Sequence, residues 1–388
     1  MRTRQSIFRC GYLLPRMLVL WLVVDFCLRL APEHWRFVHA REFLAQPGSN
    51  QMGPFMGDQT YKDAFAYGDL AALGNCAECR DYRPLLVHMD SRGFPNPPAS
   101  SPYNAILVGD SFAVGAQQLP DSTLAAQLST ATGLSIYNAS CSGHILGREL
   151  VLRLINDLGL THGTVFFELM DRSASIRGEA LEQESFSTLE DAPPVRSLYR
   201  LFQIAQQSSL QNLSRETVGR MYDGSFLPNP YAARVIRKNM PDGKPILFYP
   251  EDAQDGASGT PKLWSEYFRS LNKELWQRNF RLVVILVPSK YTVYQPFLKD
   301  AVETNKSRQF EELKADLRDL TVVNTTPAMK KAAADALANG ELLYWRDDTH
   351  WNSDGVRVAV AEVEKSLPSP RHNSAVPKLR QVSRGTVR

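Results

Sequence analysis

Short apolar runs alternate with amphipathic stretches through the middle of the chain. The first run, Ala105 to Val108, sits in Asn104-Ala-Ile-Leu-Val-Gly-Asp-Ser-Phe112 and predicts a buried strand that Gly109 closes with a sharp turn. Asp121 and Ser122 then cap an apolar-periodic helix reaching Thr132. A second strand is predicted over 134–138, ending in Ala139-Ser-Cys-Ser-Gly143. A helix from about 146 to 158 follows, with Leu150, Leu154 and Ile155 on one face. The third strand, over 164–170, ends in Asp171-Arg172-Ser173. Further strands are predicted over 245–249, 282–287 and 320–324, and helices over 262–278 and 310–317. Leu342 to Trp345 leads into Arg346-Asp-Asp-Thr-His-Trp351, and a closing helix over 355–367 follows the cap residues Asn352, Ser353 and Asp354. Strands separated by helices of this length predict an α/β domain with a parallel sheet and right-handed crossovers.

The flanks do not share this pattern. Arg2, Arg4, Arg9 and Arg16 precede an apolar stretch, Met17 to Val24, continued by Phe26, Cys27, Leu28 and Leu30. Residues 1–32 are therefore expected to be a basic cytoplasmic end and an uncleaved single-pass anchor, since no small-x-small cleavage site follows. Asp25 and Arg29 interrupt the span. Residues 33–100 read as a loop-rich lead-in packed on the main domain, broken off by the prolines between Pro95 and Pro102. The domain itself is expected over 101–367, with an insertion at 173–245. Residues 368–388, rich in Pro, Ser and Arg, are expected to be a disordered tail.

Composition narrows the class without deciding it. The 388 residues are 44% hydrophobic and 22% charged, values of a globular chain with room for a large core. The net charge of +3 comes with no basic stripe interleaved with aromatics, which argues against a nucleic-acid partner. Of the five cysteines, Cys76 and Cys79 form a Cys-x-x-Cys pair with no second pair or histidines at zinc spacing. In an exported domain such a pair is expected to form a local disulfide.

The chemistry centres on Ser111, placed at the carboxyl end of a strand, where open α/β sheets bind their ligands. A serine needs a base, and the base needs a third group to hold it. Among seven histidines, His350 stands out because Asp347 and Asp348 precede it by three and two residues. Either carboxylate could accept from Nδ1 and leave Nε2 to face the serine. Asp110 is expected to brace the turn through backbone hydrogen bonds. Backbone N–H groups of Ser111 and Gly143 are the candidate donors to a developing oxyanion. His144, beside Gly143, is a candidate substrate contact or a helix cap. Nothing in the pattern calls for a metal or cofactor.

The ordered set Gly109-Asp110-Ser111-Phe112, Gly143 and Asp348-Thr-His-Trp351 resembles the SGNH (GDSL-type) hydrolase superfamily. Together with Pro288-Ser-Lys-Tyr-Thr-Val-Tyr294 and Glu168-Leu-Met-Asp-Arg172, it is similar to the branch of AlgX/AlgJ-like polysaccharide O-acetyltransferases over roughly residues 60–367. The resemblance implies a three-layer α/β/α, flavodoxin-like domain with Ser111 as nucleophile, His350 as base and an aspartate as orienter, Asp348 slightly preferred to Asp347. It implies acetyl transfer to hydroxyls of an exopolysaccharide or cell-envelope glycan on the periplasmic side of a bacterial inner membrane. A multispanning acyltransferase is the partner expected to supply the acetyl unit. Arg172, Lys290 and Trp351 join His144 as candidate substrate contacts. The chain departs from the pattern twice. Glu168 and Arg172 stand where the superfamily offers an asparagine, and the aspartate–histidine pair follows the serine, whereas in the alginate enzymes it precedes it. Two rival functions use the same residues or fold: a carbohydrate acetyl esterase, and a non-catalytic glycan-binding or assembly protein.

Overall fold

In the computed structural model, five of the apolar runs lie side by side in one parallel sheet. The structure describes residues 15–27, 57–98, 102–141, 147–174, 232–257 and 259–367, with single positions at 55, 217 and 221. After a helical stretch at 15–27, the elements in chain order begin with β1 (Gln59–Ala66), α1 (Asp69–Leu73), β2 (Arg83–Met89), β3 (Ala105–Val108), α2 (Ser111–Val114) and α3 (Leu124–Thr132). Next come β4 (Ile136–Asn138), α4 (Arg148–Asp157), β5 (Gly163–Met170), α5 (Asp171–Ala174), β6 (Ile236–Asn239) and β7 (Pro245–Phe248). The chain continues with α6 (Thr260–Gln277), β8 (Phe280–Val287), α7 (Lys290–Tyr294), α8 (Lys306–Asp316), β9 (Thr321–Asn324), α9 (Thr326–Ala338) and α10 (Ser353–Ser366).

The sheet order is β4-β3-β5-β8-β9. Counting only its own strands, that is 2-1-3-4-5, the flavodoxin-like order, and its switch point lies between β3 and β5. Alternate side chains of each strand feed two cores. Leu107, Phe166, Met170 and Ile285 face one side, covered by α3, α9 and α10 through Leu128, Met329, Val356 and Val360. Ile106, Phe167, Leu169 and Leu286 face the other, covered by α4, α6 and α8 through Ile155, Trp264, Phe268 and Phe310. The architecture is therefore helix, sheet, helix. Because β8 is sandwiched on both faces, its sequence is a nearly unbroken apolar run, interrupted only by the half-buried Arg281. Each large side chain buried in this way contributes about 1.5–3 kcal/mol.

Several expectations need correcting. The lead-in is not only loop: β1 and β2 form an antiparallel hairpin. The inward-facing residues of β2 are Arg83, Leu85, Val87 and Met89. A charged residue at the first inward position spoils the apolar alternation that marks a strand. The strand expected over 245–249 does not join the main sheet. As β7 it pairs antiparallel with β6, which lies inside the expected insertion at 173–245. Helix α9 has no counterpart among the predicted helices, because Met329 is the one large apolar side chain among its buried residues, beside Thr326 and Ala333. The cap of α3 is Thr123, whose side chain accepts from Ala126 N, while Asp121 and Ser122 lie in a 3-10 turn before it.

Among the described residues no helix is long and apolar enough to cross a membrane. Residues 1–14 and 28–32 of the expected anchor, most of the insertion and the whole tail lie outside the described residues.

Cys76 and Cys79 are joined in a disulfide that closes the turn after α1. Closing so short a loop is worth about 2 kcal/mol on the chain-entropy relation. Cys76→Ser/Cys79→Ser is expected to lower the unfolding free energy by about that amount. Denaturant unfolding of wild type and variant, with and without reductant, reads it, and reductant should shift only the wild type.

Candidate active site

Gly109 ends β3 where the backbone passes directly over Glu168 of β5. A Cβ on residue 109 would stand 2.5 Å from Glu168 Oε2, so only glycine fits. Glu168 is completely buried, and its Oε2 accepts from Asp110 N at 3.0 Å. Burial, and then the nearby charge of Asp110, pushes the Glu168 carboxyl well above its ordinary range. Asp110 in turn caps α2, with Oδ1 accepting from Phe112 N at 2.9 Å. This is the bracing expected of it. The turn leaves Ser111 half-buried at the first position of α2, beside the switch point.

His350 reaches Ser111 from the opposite end of the chain. Its Nε2 lies 2.8 Å from Ser111 Oγ, and its Nδ1 lies 2.6 Å from Asp348 Oδ1. Asp348 Oδ1 also accepts from His350 N at 2.9 Å, which pins the carboxylate beside the ring. Phe112 packs against the imidazole with ring centroids 5.0 Å apart, fixing the histidine to the residue that follows the nucleophile. Burial alone would lower the His350 pKa. The charge and hydrogen bond of Asp348, with Asp69 and Asp110 behind it, outweigh burial and hold it above 6.5. Burial likewise opposes charge on Asp348, but His350, Arg83 and Asp69 N hold that carboxyl well below the usual range.

The two aspartates before His350 thus have separate positions. Asp348 faces the imidazole. Asp347 points away, its Oδ2 accepting from Gly68 N at 2.7 Å and Asp81 N at 3.0 Å, its Oδ1 from Arg83 Nη1 at 2.9 Å. Its carboxyl is pushed up by burial, with the Arg83 cation opposing.

Of the expected substrate contacts, two are corrected. Trp351 is fully buried, and its Nε1 donates to Phe112 O at 3.3 Å, so it locks the His350 turn to α2 and cannot meet a ligand. Lys290 is equally buried. Its Nζ donates to the carbonyls of Trp345, Arg346 and Asp348 at 3.1, 3.3 and 2.6 Å, filling the loop that carries Asp348. Burial pushes its pKa down to about 8 against the pull of neighbouring carboxylates. Arg172 remains 25% exposed, paired with Asp252 at 2.9 Å and stacked 4.6 Å over the Tyr249 ring. Gly143 and His144 lie outside the described residues. The Asp69, Asp348 and His350 ligand atoms lie within 4.8 Å of one another. Asp69 there accepts from Thr349 N at 2.8 Å and from Thr349 Oγ1, so the group is built as a hydrogen-bonded brace.

Sequence reasoning missed Gly68, Asp69 and Arg83, which all touch the Asp347–Thr349 loop. The Gly-Asp pair in the polar turn after β1 was the available signal.

Fold and site define an α/β domain with a Ser–His–Asp hydrogen-bonded line at the switch point of its sheet. Residues 247–385 match the family model described as SGNH hydrolase-like domain, acetyltransferase AlgX. That range holds Lys290, Asp347, Asp348 and His350, while Ser111 lies before it. No curated protein matches the chain. Among solved structures, a lipolytic protein of the G-D-S-L family from Desulfitobacterium hafniense DCB-2 is similar at 11% identity, over 68% of this chain and 98% of that one, with a TM-score of 0.33.

Proposed function

We propose that this chain is an O-acetyltransferase that moves acetyl groups onto hydroxyls of an exopolysaccharide or cell-envelope glycan through an acetyl-Ser111 intermediate. The observation that carries the reading is the unbroken line from Ser111 Oγ through His350 to Asp348, at 2.8 and 2.6 Å. The acetyltransferase match over 247–385 supports transfer over simple hydrolysis. His350 Nε2 takes the Ser111 proton as Oγ attacks the acetyl carbonyl, then gives it to the departing donor group. In the second half it takes the proton of a sugar hydroxyl, which attacks the acetyl-serine and restores the free hydroxyl of Ser111. The N–H at the start of α2 and the segment around Gly143 are the donors we assign to the oxyanion. The partly exposed Arg172 suits an acidic group on the acceptor. We place the domain outside the inner membrane, tethered through residues 1–32, with a multispanning acyltransferase delivering the acetyl unit.

The test is to incubate the purified full chain with 4-nitrophenyl acetate and neutral or uronate-containing oligosaccharides, and to follow acetylated sugar by mass spectrometry. Acetylated sugar that disappears in Ser111→Ala supports transfer. Fast ester hydrolysis with no acetylated sugar from any acceptor makes the chain an esterase.

A further inference from the structure

The acid of the catalytic line is gripped by a collar drawn from residues nearly 280 positions earlier. Asp348 Oδ2 accepts from Asp69 N at 2.7 Å, and the Asp347 carbonyl accepts from Leu70 N and Ala71 N at 3.1 and 3.0 Å. Gly68 N reaches Asp347 Oδ2, and a Cβ at position 68 would stand 2.0 Å from the Asp347 carbonyl oxygen, so the two turns touch backbone to backbone. Among the described residues, the lysine or arginine that pairs with these carboxylates is Arg83, 6% exposed on the first inward position of β2. Its Nη1 donates to Asp347 Oδ1 at 2.9 Å and to Asp81 O at 2.7 Å, its Nη2 lies 3.9 Å from Asp348 Oδ2, and its guanidinium sits 4.3 Å over the Trp345 ring.

Two adjacent buried carboxylates repel one another and need a buried cation between them. Arg83 supplies it from outside the α/β core. We propose that Arg83 is a positioning residue for acyl transfer at Ser111. By holding Asp347 it fixes the Gly68–Asp69 turn, and that turn holds Asp348 in line with His350. The proposal rests on Ser111, His350 and Asp348 being the reacting line.

The chain of contacts predicts the sign of the effect. Without Arg83 the Asp69 N–H loses its fixed place and Asp348 its alignment with Nδ1. Loss of that hydrogen bond lowers the His350 midpoint by more than removal of the Arg83 charge raises it. The other charges near the ring, Asp69, Asp110 and Lys290, remain.

The experiment uses the full-length protein labelled with 13C at histidine Cε1. The His350 signal is assigned by its absence in His350→Gln, and it is titrated alongside a kcat and KM profile for 4-nitrophenyl acetate. In Arg83→Met, kcat is expected to fall at least about tenfold, KM to stay within about twofold and the His350 midpoint to drop, consistent with loss of a group acting through the triad acid. Arg83→Lys, which keeps a cation on Asp347, is expected to retain kcat within about threefold of wild type and most of the midpoint. Arg83→Met/Asp347→Asn leaves Asp347's place neutral and so removes the folding penalty of a stranded carboxylate. A merely structural Arg83 predicts wild-type kcat and midpoint in that double variant, whereas a positioning Arg83 predicts that both losses persist. An unchanged or raised His350 midpoint in Arg83→Met, or wild-type behaviour of the double variant, overturns the proposal. If Ser111→Ala retains the wild-type rate, the assignment of the reacting line fails instead, and the His350 midpoints still decide whether Arg83 governs Asp348.

Discussion

Ser111→Ala is expected to lower turnover of an acetyl ester by about 10^6-fold, the scale on which removing the nucleophile of a serine triad acts. The loss should fall on kcat, because Oγ bonds to the acyl carbon in the step that it accelerates and adds little to the initial complex. Stability should change by no more than about 0.5 kcal/mol, since alanine favours helix and Ser111 opens α2 half-exposed, its oxygen paired only with His350 Nε2 among the contacts described. Stopped-flow release of 4-nitrophenol reads the first half-reaction, and mass spectrometry of the quenched wild-type protein should find an acetyl adduct on the peptide carrying Ser111. A variant that keeps even a hundredth of the rate would mean that another group attacks, and Ser111 would become a bystander of a well-ordered turn.

The nucleophile turn was legible because everything it needs is local. An apolar run, a glycine and an Asx cap within eight residues specify strand, tight turn and the place of the hydroxyl. His350 was legible for the same reason, with its orienter two residues away. The collar was not. Gly68, Asp69 and Arg83 make sense only beside Asp347, and no local pattern announces a partner so distant in sequence. Arg83 also obscured its own strand, since a cation at an inward position looks like the end of a hydrophobic alternation. Trp351 and Lys290 were misread in the opposite direction. An aromatic and a lysine near a predicted active site suggest ligand contacts, yet one plugs the core against Phe112 and the other satisfies three carbonyls of the His350 loop. Residue type gave the chemistry of these positions, and only burial gave their role. Glu168 extends the point: a carboxyl at the end of a strand reads as a candidate ligand. Under Gly109 it is instead a buried brace that accepts from Asp110 N, its carboxyl pushed up by burial and by Asp110.

Asp348→Asn and Asp347→Asn should separate the two acids by function. In Asp348→Asn the amide can present its NH2 group to Nδ1, which favours the tautomer with a proton on Nε2 and leaves Ser111 Oγ without an acceptor. A fall of about 10^4-fold in kcat is expected from that error alone. The pH profile should move as well. Wild-type kcat/KM requires neutral His350, and Asp348 holds the imidazole above 6.5, so activity should rise with pH through a midpoint above that value. With Asp348 neutral, the same burial acts on His350 without its main counter-charge, and the acid limb should shift to a midpoint below that of wild type. The residual rate of the variant should therefore be less sensitive to acid even as it is far lower. Asp347→Asn touches neither nitrogen. It keeps an oxygen for the Gly68 and Asp81 N–H groups and removes a like charge beside Asp348 but gives up the Arg83 ion pair, so kcat is expected to fall by about tenfold, in the range of supporting contacts. Steady-state rates across pH 5 to 9 for the three proteins decide the assignment. Equal losses in the two variants, or the larger loss in Asp347→Asn, would transfer the orienting role to Asp347 and require the Asp348–His350 bond at 2.6 Å to be rearranged in the working enzyme.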